Sequence, residues 1–118
     1  MILKCPELLA EFRQARSCEY CNRATPGGCD PHHFWRKRGM GGGSRIDHRF
    51  NLVSLCRGFV NGEFVSCHDQ AERGVILRSE LLEIVAKREK KQPSEIIAEL
   101  ERIRNLPKGS TLLRTSNP

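Results

Sequence analysis

Four cysteines, three histidines and an asparagine in fixed order constrain this chain more than anything else in it. The order runs CEYC at Cys18 and Cys21, DPHHFW with His32 and His33, a glycine-rich GMGGGS, FNLVSLC with Asn51 and Cys56, and SCHDQAE with Cys67, His68 and Glu72. A CxxC pair lets two thiolates turn back onto one ion, and structural zinc takes four such ligands in a tetrahedron. Cys18, Cys21, Cys56 and Cys67 are therefore the expected ligands of a structural Zn2+. Cys5 and Cys29 are read as structural, because drawing Cys29 into the knuckle in place of Cys56 or Cys67 disturbs the strand beside the histidine pair.

Six cysteines in 118 residues could instead form a disulfide framework. That needs an oxidising compartment, and MILKCPELLAEF lacks the basic start and apolar core of an export signal. No apolar run reaches the roughly 18 to 20 residues of a membrane span. A cytoplasmic protein with no membrane partner is expected.

The length suits one domain with one small core. Pro6, Leu8, Leu9 and Phe12 predict a short helix within residues 5–16, followed by a turn-rich knuckle to Gly28. CDPHHFW, residues 29–35, reads as an edge strand that tolerates Pro31, and FNLVSLC, residues 50–56, as its partner across the long loop 36–49. Asn61-Gly62 between apolar pairs predicts a hairpin separating Cys56 from Cys67. CHDQAER predicts a short helix stopped at Gly74, with His68 in its first turn. Beyond it lie two amphipathic helices. One carries Leu81, Leu82, Ile84 and Val85 behind a cap at Ser79, the other Ile96, Ile97, Leu100 and Ile103 behind Pro93. The fold class is α+β. Residues 1–74 form the core, 75–108 a helical extension packed on it or used for a homodimer, and 109–118 a loose tail.

Neighbouring residues on a strand face opposite sides, so His32 and His33 should have different work: one to hold a metal, the other to act as a base near neutral pH. His68 and Glu72, four apart, share a helical face. The formal charge is +6, and residues 32 to 58 carry Arg36, Lys37, Arg38, Arg45, Arg49 and Arg57 against Asp47 alone. A basic field over a metal site suits a polyanion. Arg36, Lys37, Arg38, Arg45 and Arg49 are the expected phosphate contacts. Phe34 and Trp35 are read as packing under the loop rather than stacking on bases, and His48 as a bystander.

HHFW, a loop, FNLVSLC and then CH resemble the HNH endonucleases over roughly residues 17 to 74. The resemblance implies a ββα-metal core with a four-cysteine zinc knuckle. It implies that His32 and His68 ligate a catalytic divalent ion, Mg2+ or Mn2+, with Ni2+ and Zn2+ as alternatives. His33 would be the general base, and Asn51 would tie the loop to the metal finger and position that base. Glu72 stands where some members carry a further metal-binding His. Two features depart from the family: Glu72 itself, and the ten residues between Cys56 and Cys67 where a short CxxC is common. The implied activity is hydrolysis of phosphodiester bonds in DNA, leaving 5′-phosphate and 3′-hydroxyl ends. A non-catalytic zinc-stabilised DNA-binding module and an RNA-directed nuclease are the competing readings.

Overall fold

The computed structural model describes residues 4–35, 46–57 and 66–105. Helix α1 spans Pro6–Arg13, with Pro6 in its first turn where a missing N–H costs nothing. It buries Leu8 and Phe12, one turn apart. The turn after it requires Gly28, whose φ is +94°; a Cβ there would sit 2.4 Å from the Arg13 carbonyl oxygen. That same oxygen accepts from the Cys29 N–H at 2.9 Å, which starts the ribbon in place.

Strands β1 (Asp30–His33) and β2 (Leu52–Leu55) pair antiparallel, with Asp30 opposite Leu55, Pro31 opposite Ser54, His32 opposite Val53 and His33 opposite Leu52. All four residues of β2 are buried because both of its faces are covered. Leu52 packs with Cys5, Leu8 and Phe12, and the Ser54 hydroxyl donates to the Phe12 carbonyl at 2.8 Å, so one face belongs to α1. Val53 and Leu55 join the main core with Leu81, Val85, Ile96, Leu100 and Ile103 on the other. A single 3-10 turn, Arg49–Asn51, leads into β2.

Helix α2 (Cys67–Glu72) begins at Ser66, whose hydroxyl accepts from the Asp69 N–H at 3.2 Å. It ends at Gly74, where φ is +79°. Helices α3 (Arg78–Glu89) and α4 (Pro93–Arg104) follow. Ser79 lies inside α3 and is not its cap. The boundary residue is Leu77, whose N–H is satisfied by the Glu80 carboxylate at 2.8 Å. Glu95 treats Gln92 the same way at 2.9 Å, and Pro93 opens α4 as expected.

Leu81 and Val85 of α3 and Ile96, Leu100 and Ile103 of α4 are buried in one core that also holds Cys18 and Phe34, with Leu82 and Ile84 partly buried against it. Each large aliphatic side chain buried there stabilises by about 1.5 to 3 kcal/mol. One core therefore runs across residue 74 and takes in Leu81, Val85, Ile96, Leu100 and Ile103 of the two helices. Trp35 is clipped against these helices. Its indole N–H donates to Glu101 at 3.0 Å, and the Arg78 guanidinium lies 4.5 Å from its ring. Among the described residues no helix is long and apolar enough to cross a membrane. The expected hairpin at Asn61-Gly62 and the tail 109–118 lie outside the described residues.

Candidate metal centres and the histidine beside them

The thiols of Cys18, Cys21, Cys56 and Cys67 lie within 4.8 Å of one another, and none is in a disulfide. Zinc–sulfur bonds of about 2.3 Å put tetrahedral sulfurs about 3.8 Å apart; Cys21 and Cys56 are 4.0 Å apart. Local backbone explains the convergence. Ser17 bridges Ala24, the Asn22 N–H returns to the Cys18 carbonyl at 2.9 Å, and Asn22 takes the positive φ that the tight turn needs. The N–H groups of Tyr20 and Cys21 point at the Cys18 sulfur, at 3.4 and 3.5 Å, and the Cys67 N–H points at that of Cys56, at 3.3 Å.

These amides favour thiolates, but four together need a cation. Burial pushes the Cys67 thiol far up, with the neighbouring Cys18 sulfur adding to it, and burial also raises Cys56. At Cys21 burial works upward too, yet the Arg23 backbone and the other three sulfurs outweigh it and bring the thiol down to about 7. A divalent ion eases the conflict by bonding all four thiolates and offsetting half of their charge. The donor set therefore fits structural zinc.

The second group is His32, His68 and Glu72, whose ligand atoms also lie within 4.8 Å of one another. The His32 Nδ1 and His68 Nε2 are 3.6 and 3.4 Å from the same Glu72 Oε1, and the two rings meet edge to face at 5.3 Å. Bonds of about 2.0 to 2.2 Å to one ion put neighbouring ligand atoms about 3 to 4 Å apart. Two imidazoles and a carboxylate suit a borderline divalent cation. His32 is buried whereas Glu72 is 41% exposed, so the group is reached from the Glu72 side. The two centres share a backbone: Cys67 and His68 are consecutive in the first turn of α2, and the His68 N–H donates to the Cys56 carbonyl at 3.1 Å.

His33 faces the opposite side of the ribbon from His32. Its Nε2 is 2.7 Å from Asp47 Oδ1, and that carboxylate is fully buried. The second oxygen of Asp47 accepts from the Cys5 N–H at 2.9 Å, which ties the start of α1 to the histidine. The pairing fixes the ring as the Nε2–H tautomer and makes Nδ1 its basic nitrogen.

Asn51 is fully buried. Its Oδ1 accepts from the Trp35 N–H at 2.7 Å, its Nδ2 donates to the Ile46 carbonyl at 2.9 Å, and its own carbonyl accepts from Phe34 N–H at 3.2 Å. It ties together Trp35 and Ile46, the described residues on either side of segment 36–45. Sealed in the core, the Asn51 side chain thus acts on the backbone of its neighbours.

Among the expected phosphate contacts, Arg36, Lys37, Arg38 and Arg45 lie outside the described residues. Arg49 is the described member of that set, and its Nε donates to both oxygens of Glu89, at 2.9 and 3.0 Å. Cys5 and Cys29 are buried apart from the four-thiol cluster, Cys29 against the Thr25 hydroxyl at 3.3 Å. His48 is buried, accepts from the Phe50 N–H at 3.0 Å and caps the 3-10 turn.

Sequence reasoning missed Asp30 and Asp47. Asp30 Oδ2 lies 2.9 Å from His68 Nδ1. Each carried a signal: Asp30 is two residues before His32 and so on its face of the strand, and Asp47 is the lone acid of a basic segment. No protein-family model, curated protein or solved structure matches the chain.

Proposed function

We propose that this protein is a metal-dependent endonuclease that hydrolyses phosphodiester bonds in DNA. One observation carries the reading: consecutive residues of β1 serve two different assemblies, His32 in the His–His–Glu group and His33 on a buried carboxylate. Structural stability alone gives no reason to combine an accessible cluster of metal donors with a tautomer-locked imidazole on the next residue.

His32, His68 and Glu72 would hold the ion. A divalent cation bound there supplies Lewis-acid charge for a phosphoryl oxygen and for the leaving 3′ oxygen. His33 takes the proton of the attacking water at Nδ1, while Asp47 keeps Nε2–H donated and the ring in one orientation. Asn51 holds the backbone at Trp35 and Ile46, so that His33 keeps its place. The basic residues flanking the histidines supply the field that draws in a polyanion.

Supercoiled plasmid incubated with Mg2+, Mn2+ or EDTA tests this, with His33→Ala beside the wild type. Expected is cutting with metal, none with EDTA, and a fall of about 10² to 10⁴ in rate for the variant. Plasmid left intact by the wild type under every metal, although bound, rejects catalysis in favour of a zinc-stabilised binding module. Faster cutting of structured RNA than of DNA reassigns the substrate.

A further inference from the structure

Asp30 stands between the histidine metal group and the one basic side chain that reaches it among the described residues. It lies on the His32 face of β1, two residues away. Its Oδ2 takes the His68 Nδ1–H at 2.9 Å, and its Oδ1 takes Arg57 Nη1–H at 3.2 Å. The first contact sets a tautomer: with Nδ1 protonated, the lone pair of His68 is at Nε2, the atom that faces Glu72 and His32. A carboxylate on the far nitrogen of a ligating histidine fixes the ring and raises its basicity toward the metal.

The second contact brings a guanidinium to the same place. Arg57 follows Cys56, whose carbonyl anchors the His68 N–H, so both backbone and side chain place it beside the histidine. Its Nη2 donates to the Gly27 carbonyl at 3.1 Å. Arg57 is 48% exposed, and among the described residues these are its two hydrogen-bond partners, which leaves most of its five N–H donors for a ligand. Unlike Arg49, it is not enclosed by the core. Planar donors beside a cation are the arrangement that suits a phosphate diester.

We propose that Asp30 is a positioning residue that fixes His68 for the metal, and that Arg57, held on the same carboxylate, binds a phosphate of the nucleic acid next to that ion. The Arg57 half rests on the nuclease reading; the Asp30 half does not.

The test uses the full chain with zinc in the cysteine site. Mn2+ is titrated calorimetrically into wild type, Asp30→Asn and Arg57→Gln. Asp30→Asn should bind it about 10- to 100-fold more weakly, and Arg57→Gln within about twofold of wild type. Histidine ¹⁵N spectra of the wild type should show His68 protonated at Nδ1, a reading that needs no variant to fold. Unchanged Mn2+ affinity in Asp30→Asn, or a His68 protonated at Nε2 in the metal-free site, overturns the positioning role.

Binding of a short duplex with Ca2+ in place of Mn2+, measured across salt concentrations, tests the arginine. Arg57→Gln should flatten the plot of log affinity against log salt by about 0.9; an unchanged slope overturns the phosphate role. A wild type that holds Mn2+ and binds no duplex refutes the nucleic-acid reading and the Arg57 half together. The Asp30 half then stands or falls on the metal titration and the spectra.

Discussion

Replacing Asn51 by alanine removes one side chain and strands two backbone groups. The Trp35 N–H loses its acceptor at 2.7 Å and the Ile46 carbonyl its donor at 2.9 Å, at a residue with no exposure to water. A buried polar group left without a partner costs about 1 to 3 kcal/mol. With two such groups and the lost packing, Asn51→Ala should lose about 2 to 5 kcal/mol, a large share of the roughly 5 to 15 kcal/mol of a typical domain. Asn51→Asp is the sharper control. It keeps the acceptor for Trp35 but sets an oxygen against the Ile46 carbonyl and buries a carboxyl group, so it should be at least as damaging despite its near-identical shape. Urea unfolding followed by tryptophan fluorescence reads this directly, because Trp35 is the only tryptophan in the chain. A loss below about 1 kcal/mol for Asn51→Ala with an unchanged urea slope, or an Asn51→Asp variant as stable as wild type, would refute the claim that this amide ties Trp35 to Ile46.

Arg88 donates to both oxygens of Glu19 at 2.9 and 3.0 Å, to the Leu52 carbonyl at 3.0 Å, to the Arg49 carbonyl and to Glu89 at 2.7 Å, and its guanidinium lies 5.0 Å from the Phe12 ring. Arg88→Ala should destabilise by about 2 to 4 kcal/mol in urea unfolding, somewhat under the cost of breaking a fully buried ion pair because Arg88 is 21% exposed. Removing zinc with a strong chelator should lower the melting temperature and also abolish Mn2+ binding at the histidine group, since Cys67 and His68 are adjacent in one helical turn; calorimetry showing Mn2+ affinity unchanged in zinc-free protein counts against that coupling. Acid should weaken the fold in two steps. The His48 imidazole is lowered from its usual 6.5 by burial, against the pull of Glu99 and Glu89 and with the help of Arg49 and Arg102, so its share is full above 6.5 and drains as pH falls below it. Burial works to raise Glu89, but Arg88 and Arg49 hold it below its usual 4.5, so its share is full above 4.5 and is lost as pH falls through the lowered value. The urea midpoint measured from pH 8 to 3 should show both declines, and His48→Asn should erase the first.

What the sequence made legible was whatever is encoded within a few residues. Pro6 before Leu8 and Phe12, the two strands flanking the loop, the short helix opening on Cys67 and the proline at the head of α4 all rest on local backbone chemistry. The two metal groups were legible for a related reason, since ligand spacing is a local property repeated at two or three places. The cap at Ser79 failed because a serine near an apolar stripe competes with a Glu three residues past the true boundary, and here Glu80 satisfied the Leu77 N–H. The pairing of Arg49 with Glu89 was not legible, because the two are forty residues apart and nothing near either residue announces it. Asp30, Asp47 and Arg88 belong to the same class, joined to their partners only once the chain has folded.

Arg88 has a consequence for the order in which the molecule is made. It clasps Glu19 behind the first knuckle cysteine, the carbonyls on either side of the turn into β2, and the ring of Phe12 in the opening helix. A nascent chain that has emerged only as far as His68 already carries every residue assigned here to metal except Glu72, yet it lacks the side chain that fastens these segments together and the helices that cover β2. Such a growing chain should remain open until residue 88 and the helix that carries it have been made, so a ribosome halted before that point would release the ligating side chains with no finished fold around them.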